Sequence, residues 1–297
     1  MPDFPFCSAG IFSLCPAYAF PMDWRLIVPD ETDWDKTALD EAREVRLRPG
    51  QPVVAFGPGG IWRGSHSLSP AEVTQAAQAL SGHSLAAHRE ELEKGFLPLP
   101  GGHRLGVCGV RGARGTLEIT SLCLRVAHEI KGAGDSVFPL IRGCSTLIIG
   151  PPGSGKTTLL RDLIRLYSLN GVQVGVADER GEIAACQNGA PQMDVGPMTD
   201  VITGTERSQA LSLLVRAMSP QVAATDEIGG ERDASALGEA LRCGVTVLAT
   251  AHGRNIEDIL RRQSLAALFR QGVFDKWVRL EAAGVPSQVF SWTARGE

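Results

Sequence analysis

The hydrophobic rhythm of the chain changes near residue 132. Before that point, short alternating runs are mixed with helical stretches. "EVRLRPGQPVVAF" alternates apolar and charged positions around Pro49-Gly50, the pattern of a β-hairpin. "SPAEVTQAAQAL" opens on Ser69-Pro70, carries Glu72 three residues after Ser69 and continues with amphipathic spacing, which predicts a capped helix. "SLAAHREELEKGF" predicts another helix, ended by Gly95. "FLPLPGGHRLGVCGVRG" reads as strand, Gly101-Gly102 turn and strand, and "EITSLCLRVAHEIKG" as a further strand. Helices on an antiparallel sheet make a small α+β domain, expected over residues 23–132.

"HEIKGAGDS", with Gly132 and Gly134, is the expected linker. Beyond it short β-rich runs alternate with longer helical ones: "STLIIG" then Thr157–Leu169, "VQVGVAD" then a loop, "ERSQALSLLVRAM" then "QVAATDE", "ASALGEALRCG" then "VTVLATAHG". That alternation predicts βαβ units, and so an α/β domain over 133–297 with a mostly parallel sheet and helices on both faces. "VFDKWVRLEAAGVPSQVFSW" predicts a closing hairpin around Gly284-Val285-Pro286.

Composition narrows the class. A chain of 297 residues holds one large or two medium domains. With 43% hydrophobic and 21% charged residues it is ordinary for a soluble globular protein, and a net charge of -4 gives no footprint for nucleic acid. The seven cysteines, Cys7, Cys15, Cys108, Cys123, Cys144, Cys186 and Cys243, form no C-x-x-C pair, and read as small buried thiols in a reducing compartment. The first twenty residues carry Asp3, no Lys or Arg, and Pro5 and Pro16. They fit neither a signal peptide nor a membrane span. Residues 1–22 are expected to be a loosely structured extension or a packed arm.

The chemistry starts at "LIIGPPGSGKTTLLR". Gly150-Pro151-Pro152-Gly153-Ser154-Gly155-Lys156-Thr157 fits G-x-x-x-x-G-K-[ST]. Glycines let backbone N–H groups close around phosphate oxygens, and Gly153 and Gly155 can adopt conformations a Cβ would penalise. Lys156 reaches the β- and γ-phosphates and the Thr157 hydroxyl can ligate Mg²⁺. The helix behind, through Thr157 and Thr158, points its positive end at the anion. A strand pattern before and an amphipathic pattern after complete a nucleotide site. Hydrolysis needs acids too. Asp178 and Glu179 follow one strand pattern, and Asp226 and Glu227 another. Ligands of open parallel sheets bind beyond the carboxyl ends of strands. Asp226 is assigned to the Mg²⁺ shell and Glu227 to water activation, while Asp178 and Glu179 can share either task. His252 ends a third strand pattern, where a neutral imidazole can report a γ-phosphate by hydrogen bonding.

Together "LIIGPPGSGKTTLLRDLIR", "ADERGEIAA", "SPQVAATDEIGGERD" and "VLATAHG", with "EVRLRPGQPV", "FLPLPGGHRLGVCG" and "ITSLCLRVAHEIKG" ahead of them, resemble the stage III sporulation protein AA family of endospore-forming bacteria. That family is similar to the hexameric secretion ATPases of type II, type IV and pilus-retraction systems. The resemblance covers roughly residues 40–295. It implies a RecA/AAA-like P-loop NTPase that uses ATP and Mg²⁺, and a homo-oligomer forming a hexameric ring. It implies a place in the mother-cell cytoplasm, at the inner face of the engulfing membrane, docked on membrane proteins of a mother-cell-to-forespore channel. By the same resemblance Lys156 and Thr157 match Walker A, Asp178-Glu179 the acidic box and Asp226-Glu227 Walker B. His252 matches the second histidine of the histidine box. The first is absent, and Cys243-Gly244 stands near its place. Arg104, Arg111, Arg125 or, more weakly, Arg242 would reach a neighbour's nucleotide.

Three other readings compete. One is a nucleotide-gated scaffold with negligible turnover. Another is a small-molecule kinase, which wants an arginine-bearing lid. The segment from Gly181 to Arg207, irregular and polar with two prolines, supplies none and reads as a loop over the nucleotide or an intersubunit contact. The last is nucleic-acid translocation, which the net charge does not support.

Overall fold

The computed structural model describes residues 23–27, 36–82, 96–111, 117–281 and 288–292. The expected extension over 1–22, the helix expected over "SLAAHREELEKGF" and the Gly284-Val285-Pro286 turn lie outside the described residues.

In the first half a short helix α1 (Lys36–Asp40) leads into β1 (Glu44–Leu47), β2 (Pro52–Gly57) and β3 (Gly60–Ser67). Helix α2 (Pro70–Leu80) follows, then β4 (Leu97–Pro98), β5 (Arg104–Arg111) and β6 (Leu117–Arg125). The strands form one six-stranded sheet in the order β3-β2-β1-β6-β5-β4, antiparallel throughout. Both expected hairpins are present, β1 with β2 and β4 with β5. The start signal of α2 is a reciprocal cap: Glu72 N–H donates to Ser69 Oγ at 3.2 Å and Ser69 N–H to the Glu72 carboxylate at 2.7 Å. Its inward face, Val73, Ala76, Ala77 and Leu80, joins Val45, Leu47, Leu105, Leu122 and Leu124 in one core.

The second half holds α3 (Phe138–Ile141), β7 (Thr146–Gly150), α4 (Lys156–Leu169), β8 (Val174–Asp178), β9 (Thr199–Thr203), α5 (Arg207–Met218) and β10 (Val222–Thr225). It continues with α6 (Glu231–Arg242), β11 (Thr246–His252), α7 (Ile256–Leu260), α8 (Gln263–Arg270), β12 (Lys276–Arg279) and β13 (Gln288–Ser291). The strand order is β13-β12-β7-β11-β10-β8-β9, with β13 alone antiparallel. The period of two splits each strand between two cores. Leu147 and Ile149 face the side covered by α5, α6 and α8, while Ile148 faces the side covered by α4. The predicted α/β class with a smaller antiparallel unit before it is therefore the fold.

One expectation is corrected. The segment from Gly181 to Arg207 is not irregular throughout, because Thr199–Thr203 pairs in parallel with β8 as an edge strand. Its residues are half-buried or exposed, so they lack the apolar run that marks the central strands. Strand β3 and helices α7 and α8 were not foreseen either. Among the described residues no helix is long and apolar enough to cross a membrane.

The expected linker is anchored to the helix behind the loop. Asp162 of α4 is buried, accepts the Gly134 N–H at 2.7 Å and pairs with Arg165 at 2.6 Å. Asp162→Ala leaves that buried N–H unsatisfied, and is expected to cost about 2 kcal/mol in a denaturant titration. A change within about 0.5 kcal/mol would mean that the anchor is not structural.

Candidate functional site at the glycine-rich loop

Register decides which side chains meet. On β11, His252 pairs with Gly150, the first residue of the loop, and Ala249 pairs with Thr225 of β10. Thr225 in turn pairs with Ala177 of β8. The tips of β7, β11, β10 and β8 therefore lie side by side, and Gly150, His252, Asp226 and Asp178 emerge at one end of the sheet.

The loop itself is shaped for an anion. Gly153 and Gly155 have φ of +75° and +90°, and a Cβ at either would meet open space. The requirement for glycine there is dihedral, and the space is left to whatever the backbone N–H groups face. A Cβ on Gly150, by contrast, would run into Ser154 Oγ and the Leu280 carbonyl. Gly155 caps α4, whose fourteen residues begin at Lys156. Pro152, Gly153, Gly155, Lys156, Thr157 and Thr158 line a cleft of about 410 Å³, opposite Glu182, Glu227 and His252. Pro151 contributes its carbonyl, which accepts from Lys156 Nζ at 2.9 Å. Ser154 Oγ is buried without a partner.

A chain of polar contacts crosses this cleft. Lys156 Nζ lies 3.2 Å from His252 Nδ1, and His252 Nε2 lies 2.9 Å from Glu227 Oε1. An ammonium has no lone pair, so Nδ1 accepts and Nε2 carries the proton that is donated to Glu227. The other Glu227 oxygen accepts from Arg180 Nη1. Glu227 has φ of +47°, a left-handed conformation costly for a residue with a Cβ, and its N–H donates to Thr250 Oγ1 at 2.8 Å. Burial pushes the Lys156 ammonium below its usual range, against the opposing charge of Glu227.

The other acids have different employments. Asp178 is fully buried and accepts N–H donors from Glu182, Ile183 and Ala184 at 2.8, 3.1 and 2.8 Å. Glu179 turns to Arg207 at 3.3 Å. Neither is among the residues lining the loop cleft. The carboxylate of that segment which does reach the cleft is Glu182, which sequence reasoning passed over because it lies four residues beyond the strand end. Arg161 of α4 holds it there, donating to the carbonyls of Glu182 and Ile183 at 2.7 and 2.6 Å. Arg207, also unforeseen, is buried among Glu179, Asp226 and Asp233. Arg104 is committed within its own chain, to Glu182 Oε1 and the Arg180 carbonyl, both at 3.0 Å, and over the Phe96 ring. Arg125 and Arg242 are exposed, and Arg111 ends β5.

Asp226 tests whether a cation fits. It is 0% exposed, and both of its oxygens lack a hydrogen bond. Its nearest cation is Arg207, 3.8 Å away. Burial and the neighbouring Asp178 raise its pKa from the usual 3.8 to about 6. Asp226 is not itself among the residues lining the cleft, but an orphaned carboxylate at the adjoining strand tip has the chemistry to engage Mg²⁺ through water, with the Thr157 hydroxyl of the loop as a further oxygen. Among the described residues no cluster of three or more His, Cys, Asp or Glu could hold a metal without help, so such an ion would take its other ligands from phosphate oxygens and water.

The profile of the family described as "Sporulation stage III, protein AA" matches residues 28–296. The chain is 38% identical over 262 residues to "Stage III sporulation protein AA" of Bacillus subtilis (strain 168), which covers 84% of this chain and 85% of that one. Among solved structures it is similar to the ATPase DotB of Legionella pneumophila (TM-score 0.58, 18% identity, 85% of this chain and 78% of that one). It is also similar to the pilus retraction motor PilT bound to ADP (TM-score 0.56, 18% identity, 82% and 76%). At that identity the two structures support the fold.

The orphaned carboxylate has a cost that depends on pH. Its native pKa lies above the unfolded one, so stability is fully present below about 4 and is lost as pH rises through about 6, by about 3 kcal/mol in all. Asp226→Asn removes that loss. Its melting temperature is expected to exceed the parent's at pH 8 and to converge with it near pH 4, in the absence of Mg²⁺ and nucleotide. Equal melting at both pH values would show that Asp226 is not ionised against its surroundings.

Proposed function

The chain belongs to the sporulation stage III protein AA family, and on that footing we propose that it is an Mg²⁺-dependent ATPase of the secretion-motor type. The observation that carries the proposal is the Lys156–His252–Glu227 chain, which spans the loop cleft with contacts of 3.2 and 2.9 Å. Backbone N–H groups of Gly153 to Thr158 would cradle the β- and γ-phosphates, and Lys156 would exchange the Pro151 carbonyl for phosphate oxygens. Glu227 would accept a proton from the attacking water as the bond to the bridging oxygen breaks, giving ADP and phosphate. Asp226 and Thr157 would hold Mg²⁺, whose charge offsets that of the phosphates. Glu182 stands across the cleft as a second carboxylate able to orient water.

The wider role follows the family name and the kinship with DotB and PilT. We infer a homo-oligomeric ring, hexameric as in the secretion ATPases the family resembles, acting in the mother-cell cytoplasm. It would be held at the membrane by partners and would support assembly of, or transport through, a channel into the forespore. A nucleotide-gated scaffold is the second reading. It is favoured by one observation: in the isolated chain both oxygens of Glu227 are engaged, by His252 and Arg180.

Phosphate release separates these readings. Wild type is expected to turn over with Mg²⁺. Lys156→Gln should fall at least about 100-fold with weakened binding, and Glu227→Gln about 100-fold with binding retained. Release by Lys156→Gln at the parent rate overturns the proposal. Tight binding with no turnover, in the ring and with membrane fractions present, establishes the scaffold.

A further inference from the structure

We propose that Arg180 reads the terminal phosphate from within its own subunit, leaving Glu227 for the phosphate when a nucleoside triphosphate enters the cleft. The inference rests on the reading of the cleft as a nucleotide site and adds a residue to it.

The backbone around Arg180 is pinned from three sides. Asp178 gathers the N–H groups of residues 182–184, Arg161 holds the Glu182 and Ile183 carbonyls, and Arg104 holds the Arg180 carbonyl at 3.0 Å. The carboxylate end is pinned as well, since Glu227 sits in a left-handed conformation tied to Thr250. Between these fixed points the Arg180 side chain is 59% exposed, and its guanidinium touches Glu227. Its movement requires no backbone change and opens no buried void.

The competition is electrostatic. Glu227 accepts from Arg180 on one oxygen and from His252 on the other, and His252 is the direct neighbour of Lys156. A terminal phosphate drawn to Lys156 is therefore separated from Arg180 by His252 and Glu227, and the long, exposed arginine side chain has to swing past Glu227 to reach it. The phosphate presents more negative charge and more acceptor oxygens than a carboxylate does, and a guanidinium fork matches it in two places. Transfer of Arg180 to the phosphate leaves an oxygen of Glu227 able to accept a proton from water. The same arginine then senses the phosphate and releases the base. Four neighbouring guanidinium groups are committed elsewhere: Arg104 to Glu182, Arg161 to two carbonyls, Arg207 to three acids and Arg262 to the His252 carbonyl.

Calorimetric titration with Mg²⁺ plus ADP, and with Mg²⁺ plus a non-hydrolysable ATP analogue, tests this. In Arg180→Gln, affinity for ADP is expected to stay within about twofold of wild type, which also shows that the variant is folded, while affinity for the analogue falls about tenfold. Turnover falls with it, and Arg180→Lys recovers part of both. Glu227→Gln, by freeing the arginine, is expected to tighten the analogue severalfold, and the gain should vanish in the double variant. An unchanged analogue-to-ADP ratio in Arg180→Gln, with wild type binding both nucleotides, overturns the role of Arg180 alone. Absence of binding by wild type overturns the nucleotide reading together with it.

Discussion

In-register parallel pairing at four strand tips is the constraint from which the rest of the site follows. Because β11 lies between β7 and β10, His252 is placed beside Gly150 on one flank and near Glu227 on the other. A slip of one residue would turn each side chain to the opposite face of the sheet. The hydrophobic alternation of Leu147, Ile148 and Ile149 between two cores forbids that slip. Packing far from the cleft thus sets a 3.2 Å contact inside it.

The same pairing forces acids together, and the fold answers each case differently. Asp178 and Asp226 emerge from adjacent, paired strands and are both fully buried. Asp178 is stabilised by three backbone N–H donors, so its charge is solvated by the chain. Asp226 has no donor and shares Arg207 with Glu179 and Asp233. One carboxylate is therefore spent on structure and the other is held in deficit. The deficit is a local instability that a counter-charge would relieve, and it separates the two acids more sharply than their positions along the strands do.

That distinction explains what was legible in the sequence. The loop from Gly150 to Thr157, the strand-helix alternation and the antiparallel first unit follow from periodicities and glycine positions, which are local properties. So does the pairing of Ser69 with Glu72 at the start of α2. The employment of Asp178, Glu179 and Glu182 is not local. It depends on a turn that folds back beneath β8 and on Arg161 and Arg207, each from a different helix. Strand β9 escaped notice for a related reason: an edge strand with one half-solvated face carries little apolar signal, and its existence is decided by the neighbour it pairs with.

Arg104 shows how the antiparallel unit enters the chemistry without touching the loop. It leaves β5, lies over Phe96 and binds both Glu182 and the carbonyl of Arg180. The turn that presents Glu182 to the cleft and Arg180 to Glu227 is thus held by both sheets at once. A rigid displacement of one sheet relative to the other must either carry that turn along or break the Arg104 contacts, since each is a directed hydrogen bond at 3.0 Å. Arg161 of α4 holds the same turn, so the contacts tie the first unit to the loop helix as well as to the strand tips. The two sheets and the surroundings of Glu227 are thus joined through one arginine and one turn, a connection that neither sheet makes alone.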